Sequence, residues 1–438
     1  MQVEPTAAWV LSELPRLNRA ILMDGADPAI LTDALRDTIL PALPPPSALT
    51  TGAAQRLLVL LSLVGASVAR HHQDHDPHGR ATPERAFDGL SAGSPALPYR
   101  TYFAAVADRT GTGHGGRDSY ASLVRWNVGT VEVSLDGELA AVLPGVFDDG
   151  RIRSYTGTAA EERFFTLVKT GEAVELAINH RLDPLTRPHW RLDDAEAARR
   201  VRAATVLLDA LRREFVHFAG LPAARSMPAN HFLDVFRQFA VHWTPGDIPP
   251  SGALDAESIK RDFLLGLSLP EYTGHVRRLF PALLADERAT LEQLMTRPTL
   301  PRQLATTLGI DLAALPATDP AALERLVARH PILIDWYGLL TAHARAAAAH
   351  LMLSKKFLFR PQERRDAAGL GDGPLVSNRR GTTGMTETYL ERLTRARREH
   401  VLAPLRQAVR GKTVEIAAPP AVASPSEATR RVEVRLTG

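Results

Sequence analysis

The sequence predicts a mainly α-helical fold, with one large helical domain and a smaller, mostly helical N-terminal lobe. Apolar residues recur at three- and four-residue spacing through most of the chain, the period of a single helix face. Period-two alternation is confined to short pieces such as Val131-Glu-Val-Ser134. The length of 438 residues suits a large helical domain with an added lobe.

In chain order, residues 6–17, 29–40 and 51–70 read as helices. The proline-rich stretch Pro41 to Pro46 ends the second, and Thr50 or Thr51 caps the third. Residues 71–116 read as an exposed, loop-rich section containing His71, His72, His75, His78 and a Thr-Gly-His-Gly-Gly turn at 112–116. The irregular histidine spacing fits no metal geometry. Helices are expected over 159–177, 193–219, 228–243, 254–268, 274–296, 320–329 and 331–359, with a last one over 385–410. The tail holds two strand-like pieces, 414–416 and 432–436. The expected division is a small lobe over 1–150, a helical domain over 151–410 and a peripheral tail over 411–438. No internal repeat is visible.

Composition narrows the function classes. Apolar residues make up 45% and charged residues 23%, as in ordinary globular proteins. There is no cysteine, which excludes disulfides, thiolate metal sites and cysteine nucleophiles. The net charge of +3 comes from arginines scattered among acids, as in Arg199-Arg-Val-Arg202 after Asp193-Asp-Ala-Glu196, with no basic tract interleaved with aromatics. No nucleic-acid partner is therefore expected. The opening Met1-Gln-Val-Glu-Pro5 lacks the basic start and apolar core of a signal peptide. The longest apolar run, Leu57 to Ala69, is too short to span a bilayer. A cytoplasmic protein without a membrane partner, monomeric or homodimeric, is the expectation. Gly111-Thr-Gly-His-Gly-Gly116 lacks the lysine and strand–helix setting of a phosphate-binding loop, and no serine-nucleophile elbow is present.

Three stretches carry chemistry. In residues 331–359, Leu333, Trp336, Leu340, His343, Ala347, His350 and Ser354 share one helix face. His343 and His350 lie one heptad apart, roughly 10.5 Å along the axis, so one metal cannot take both. Each imidazole suits either a hydrogen-bonded core position or a ligand position. About thirty residues later comes a glycine–threonine turn, Gly381-Thr-Thr-Gly-Met-Thr386. The segment Met227-Pro-Ala-Asn-His-Phe232 to Trp243 carries an aromatic stripe (Phe232, Phe236, Phe239, Trp243) with Arg237 beside it. Arg237 is either a solvated charge or a planar fork for a carboxylate. Pro250-Ser251-Gly252-Ala253 is a small-residue turn that permits close backbone approach.

Taken together, these residues resemble the heme-dependent indoleamine and tryptophan 2,3-dioxygenase superfamily. The nearest part of it is the bacterial branch containing the chlorotryptophan-rearranging enzyme of pyrrolnitrin biosynthesis. His350-Leu-Met-Leu-Ser-Lys-Lys-Phe-Leu358 is similar to the family's proximal-histidine phrase, and Gly381 to Thr386 to its Gly-Thr-Gly-Gly-Thr loop. Phe232, Arg237 and Trp243 match the spacing of its substrate-binding helix. Ser251-Gly-Ala253 running to Leu265-Gly266 resembles its Ser-Ala-Gly turn. Phe164-Phe165 with Glu172 echoes its distal side, and Tyr120-Ala-Ser-Leu-Val124 its small-lobe wall. The likeness spans about residues 97–397.

The resemblance implies heme b held by His350, with dioxygen as co-substrate on the open face; a thiolate-ligated heme is excluded by the lack of cysteine. It implies an aromatic amino acid substrate, tryptophan or a modified tryptophan, oxidised or rearranged at its indole ring in specialised metabolism. Arg237 would take the substrate carboxylate and Thr382 or Thr383 its ammonium or carboxylate. Phe164, Phe232 and Tyr120 would supply walls, and Ser251 would lie near a heme edge. A heme-dependent hydroxylase of a tyrosine-like substrate and a non-catalytic helical binding protein are the alternatives. Two departures stand out: Val168 occupies the position of the family's distal serine or histidine, and Thr383 and Met385 replace glycine and threonine in the loop. The stretch Pro361 to Arg380 reads as a lid.

Overall fold

The computed structural model describes residues 3–112, 117–187, 190–267, 269–370, 373–412 and 431–437. The fold is mainly helical, as the periodicity predicts. The N-terminal part contains α1 (Glu4–Asp24), α2 (Ala29–Ala34), α3 (Thr51–His75) and α4 (Tyr99–Asp108). Between α3 and α4 runs the short ribbon β1 (Ser91–Ala92) and β2 (Leu97–Pro98). A hairpin, β3 (Thr130–Leu135) and β4 (Glu138–Leu143), leads to α5 (Ala159–Leu182) and α6 (Ala195–Gly220). Then come α7 (Ala256–Leu265), α8 (Pro270–Leu279), α9 (Ala285–Thr296), α10 (Leu300–Leu308) and α11 (Pro320–Arg329). The chain ends with α12 (Ile332–Ser354), α13 (Arg360–Ala367), α14 (Glu387–Arg398) and β5 (Val432–Thr437).

Side-chain caps mark where the long helices start. Thr50 accepts from the Ala53 N–H, Thr158 from Glu161 and Asp194 from Ala197, each relieving an unpaired first-turn donor. The predicted tail strand at 432–436 forms as β5, antiparallel to β3 in a sheet ordered β4-β3-β5. The predicted strand at 414–416 lies outside the described residues.

Two large apolar cores organise the molecule. One surrounds α3 and takes in α1, α4 and parts of the 239–291 segment. The other lies between α5, α6 and α12, closed by α10, α11 and the 402–409 stretch. Helix α3 is apolar enough to cross a membrane, yet 78% of its most apolar window is buried inside the protein. Gly65 on α3 is needed for that packing: a Cβ there would stand 2.4 Å from the Trp243 ring.

The structure corrects several expected elements. Helix α3 runs to His75, so His71 is buried and hydrogen-bonds Asn18 (2.8 Å) instead of lying in an exposed loop. Helix α4 forms inside the section read as loop. Among the described residues no three His, Asp or Glu side chains converge as a metal site. The expected helix over 228–243 forms over 229–239, widening to i→i+5 bonds at His231–Phe236 and tightening at Arg237–Phe239, and ends four residues early. The chain turns away there, and Trp243 is fully buried against α3, so tertiary burial overrides the helical period. Residues 274–296 split into α8 and α9 because Pro281 lacks the N–H that would continue the ladder. The last expected helix stops at Arg398, before Pro404. Part of the predicted lid, through Ala367, is the regular helix α13.

Candidate functional site

His350 lies near the C-terminal end of α12 and lines a partly open cavity of about 260 Å³. Helix α5 presents Phe164, Val168, Glu172 and Glu175 to the same cavity, at spacings of four, four and three residues that keep them on one face. Phe215 of α6, Phe232 and Phe357 complete an aromatic wall, and the Gly252–Ala253 turn closes another side. Helix α14 contributes Leu390, Leu393, Thr394 and Arg397, and the glycine–threonine turn contributes Met385. Phe164 contacts Phe232 with ring centroids 5.3 Å apart, and Phe215 lies 5.8 Å from the His350 ring.

The His350 side chain is exposed and lines the cavity. Enclosure by protein pushes its pKa down from the usual value, with neighbouring Arg397 and Arg261 acting in the same direction and Glu175 opposing. The imidazole is therefore neutral near pH 7. Among the described residues neither of its ring nitrogens has a hydrogen-bond partner; the Ser354 hydroxyl bonds to its backbone carbonyl instead. His343, one heptad earlier, is different. Its Nε2 is 2.9 Å from Asp262, it is buried, and burial pushes its pKa down to about 4. It is a satisfied core histidine.

Charge around the cavity is closely paired. Glu172 is gripped by Arg125 and accepts from the Tyr120 hydroxyl at 3.1 Å. Glu175 lies 3.0 Å from Arg261. Asp262 receives Arg397, His343 and Tyr272 together. Asp255 caps α7 and borders Glu175; burial, with Glu175 and Glu172 beside it, raises its pKa well above the carboxylate range.

Arg237 and Thr382 are brought together, as the sequence suggests: Arg237 Nη1 donates to the Thr382 hydroxyl at 3.0 Å. Its other nitrogen, Nη2, donates to the carbonyls of Ser377 (2.9 Å) and Arg380 (2.6 Å). The guanidinium is thus turned into the loop and does not line the cavity. It is buried, pairs with no carboxylate among the described residues, and its Nε has no partner. Desolvation alone pulls its pKa down to about 10. Thr383 Oγ1 nearby is also buried without a partner.

Of the other residues singled out in the sequence, Phe164, Phe232 and Val168 line the cavity. Ser251 itself is turned to cap its own turn, accepting from the Ala253 N–H at 3.2 Å. Tyr120 stands behind Glu172. The residues that sequence reasoning missed are Glu175, Asp255, Arg261, Asp262, Phe215 and Arg397. Glu175 was findable, since it continues the Phe164–Val168–Glu172 face. Arg397 was not, because only the fold brings α14 to α12. Set against known proteins, the chain matches no protein-family model and no curated protein.

Proposed function

We propose that the protein is a heme-dependent oxygenase of the indoleamine/tryptophan 2,3-dioxygenase type, acting on a small aromatic amino acid such as tryptophan or a modified tryptophan. The observation that carries this is His350: a neutral, unpartnered imidazole facing an apolar, aromatic-walled cavity. A lone imidazole of that kind has its lone pair available to a heme iron. The donor chemistry and the apolar walls suit heme b, with His350 as the candidate ligand among the described residues, and the cavity of about 260 Å³ must widen to take the macrocycle. When bound, heme supplies the dioxygen chemistry, and the protein contributes binding, orientation and electrostatics.

The chain's own residues divide that work. Phe164 and Phe232 form flat walls that select an aromatic ring and exclude water. Arg237 is a buried cation bonded only to neutral acceptors outside the cavity lining, so a substrate carboxylate would gain a charge-assisted, bidentate pair with it only after the 377–382 loop swings away and frees it from the Ser377 and Arg380 carbonyls. Thr382, already at its side, and the partnerless Thr383 hydroxyl suit the polar end of the same molecule. Val168 can neither accept nor donate a proton, so the α5 wall above the cavity provides no base at that position.

Substituting His350 with alanine is expected to abolish the Soret band of the heme-reconstituted protein while leaving the far-ultraviolet circular dichroism unchanged. A normal heme spectrum in the variant would overturn the assignment. Product mass separates the outcomes: a gain of two oxygens with loss of indole absorbance indicates ring cleavage, and a gain of one indicates hydroxylation. A protein that stays colourless with hemin would be a binding protein instead.

A further inference from the structure

Helix α12 separates two cavities. His350 faces the smaller one; on the other side lies a groove of about 1,100 Å³ between α12, α6, the 312–316 turn and residues 398–406. Thr341, Arg345 and Ala348 face this groove, and at 3.6 residues per turn they lie roughly 140–180° around the helix from His350. The groove exists because α12 presents Gly338, Ala342, Ala344 and Ala348 there, side chains too small to fill the gap.

Its walls are rich in cationic groups. Arg345, Arg398 and Arg406 line it, are exposed, and have no ion-pair or hydrogen-bond partner among the described residues. Arg212 also lines it but is held by Asp209 at 2.8 Å. Glu399 is the one unpaired acid on the lining, so positive charge dominates. Two polar atoms of lining residues are buried without a partner, Thr341 Oγ1 and His400 Nδ1. Elsewhere the helix hydroxyls of Thr166 and Thr205 bond back to the carbonyl four residues earlier, and Thr341 does not.

We propose that this groove is a binding site for a small polyanion, a molecule carrying phosphate or several carboxylate groups, clamped by Arg345, Arg398 and Arg406. Planar guanidiniums lining one concavity match such oxygens in pairs, and Arg212 is kept from joining them by Asp209. The site is separate from the His350 cavity and does not depend on heme.

Isothermal titration of the full chain with pyrophosphate tests this. Saturable binding is expected, weakened by rising salt. Arg345→Glu and Arg398→Glu, both exposed substitutions, should each weaken it by about tenfold or more, the worth of one charge-assisted hydrogen bond. Arg16→Glu, an exposed control on α1 that does not line the groove, should leave it unchanged. Absence of binding at millimolar pyrophosphate would overturn the proposal. So would equal loss in the Arg16 control, or loss only on Arg237→Gln, which would place the anion at the buried arginine that has no counter-charge. Melting curves of each variant exclude unfolding as the cause.

Discussion

Asp262 joins three elements through one carboxylate. It accepts from Tyr272 of α8 (2.7 Å), from His343 of α12 (2.9 Å) and from two nitrogens of Arg397 on α14 (2.8 and 2.6 Å). Burial alone would raise its pKa, but Arg397 and the hydrogen bonds outweigh it and hold the group far below the ordinary carboxylate value. Asp262→Asn leaves the Arg397 cation buried without a counter-charge and is expected to cost about 3–5 kcal/mol in urea unfolding. The pH dependence follows from signs. Asp262 has a depressed folded pKa, so its contribution is present above about pH 4 and fades as pH falls below that. The buried histidines act earlier: burial lowers His71 to about 3, and His343 and His400 to about 4. As pH drops below about 6.5 the unfolded chain takes up protons that these folded histidines refuse. Melting temperature should therefore decline from about pH 6.5 downward, and Asp262→Asn should flatten only the part below about pH 4. A plateau from pH 6.5 to 4 would contradict the buried-neutral assignment.

At the scale of elements, the turn at 377–385 is tied to the body by Arg237. Each bond from this charged donor is worth roughly 1.5–3 kcal/mol, so removing it shifts local opening by at least about tenfold. Arg379 and Arg380 lie within the tied segment and are trypsin sites, which makes the opening measurable. Arg237→Gln should speed cleavage there by about tenfold with little change in global melting; unchanged cleavage would show that the loop is held by other contacts. The elements also show what was legible in the sequence. Residues 320–329 were read as a helix and form α11 over the same span, because Asp319 caps it and the apolar period is clean. Phe164, Phe232 and His350 were picked out and do meet at one cavity, since each lies on a face whose period the sequence displays. The helix read over 228–243 forms but ends at Phe239, because Trp243 is drawn into the core against α3, which period alone does not describe. The Asp262–Arg397 pair spans 135 residues and leaves no local trace. Ser251 and Arg237 were found by spacing, yet their side-chain directions were set by a cap and a loop that spacing does not encode.

In the whole molecule, α12 is the shared wall. On one side it presents a neutral imidazole to an aromatic-lined cavity, and on the other it floors an arginine-rimmed groove. The small core of Leu167, Phe218, Met227, Leu353 and Phe357, with Phe164, Phe215 and Phe232 packed against it, fixes that wall against α5 and α6. The most direct test is an absorption spectrum of the purified, heme-reconstituted protein, reduced and then exposed to carbon monoxide. The result expected is a histidine-ligated ferrous heme whose Soret band shifts on carbon monoxide binding, showing an axial position open to a diatomic gas. Failure to retain heme, or a reduced spectrum that carbon monoxide leaves unchanged, would contradict it.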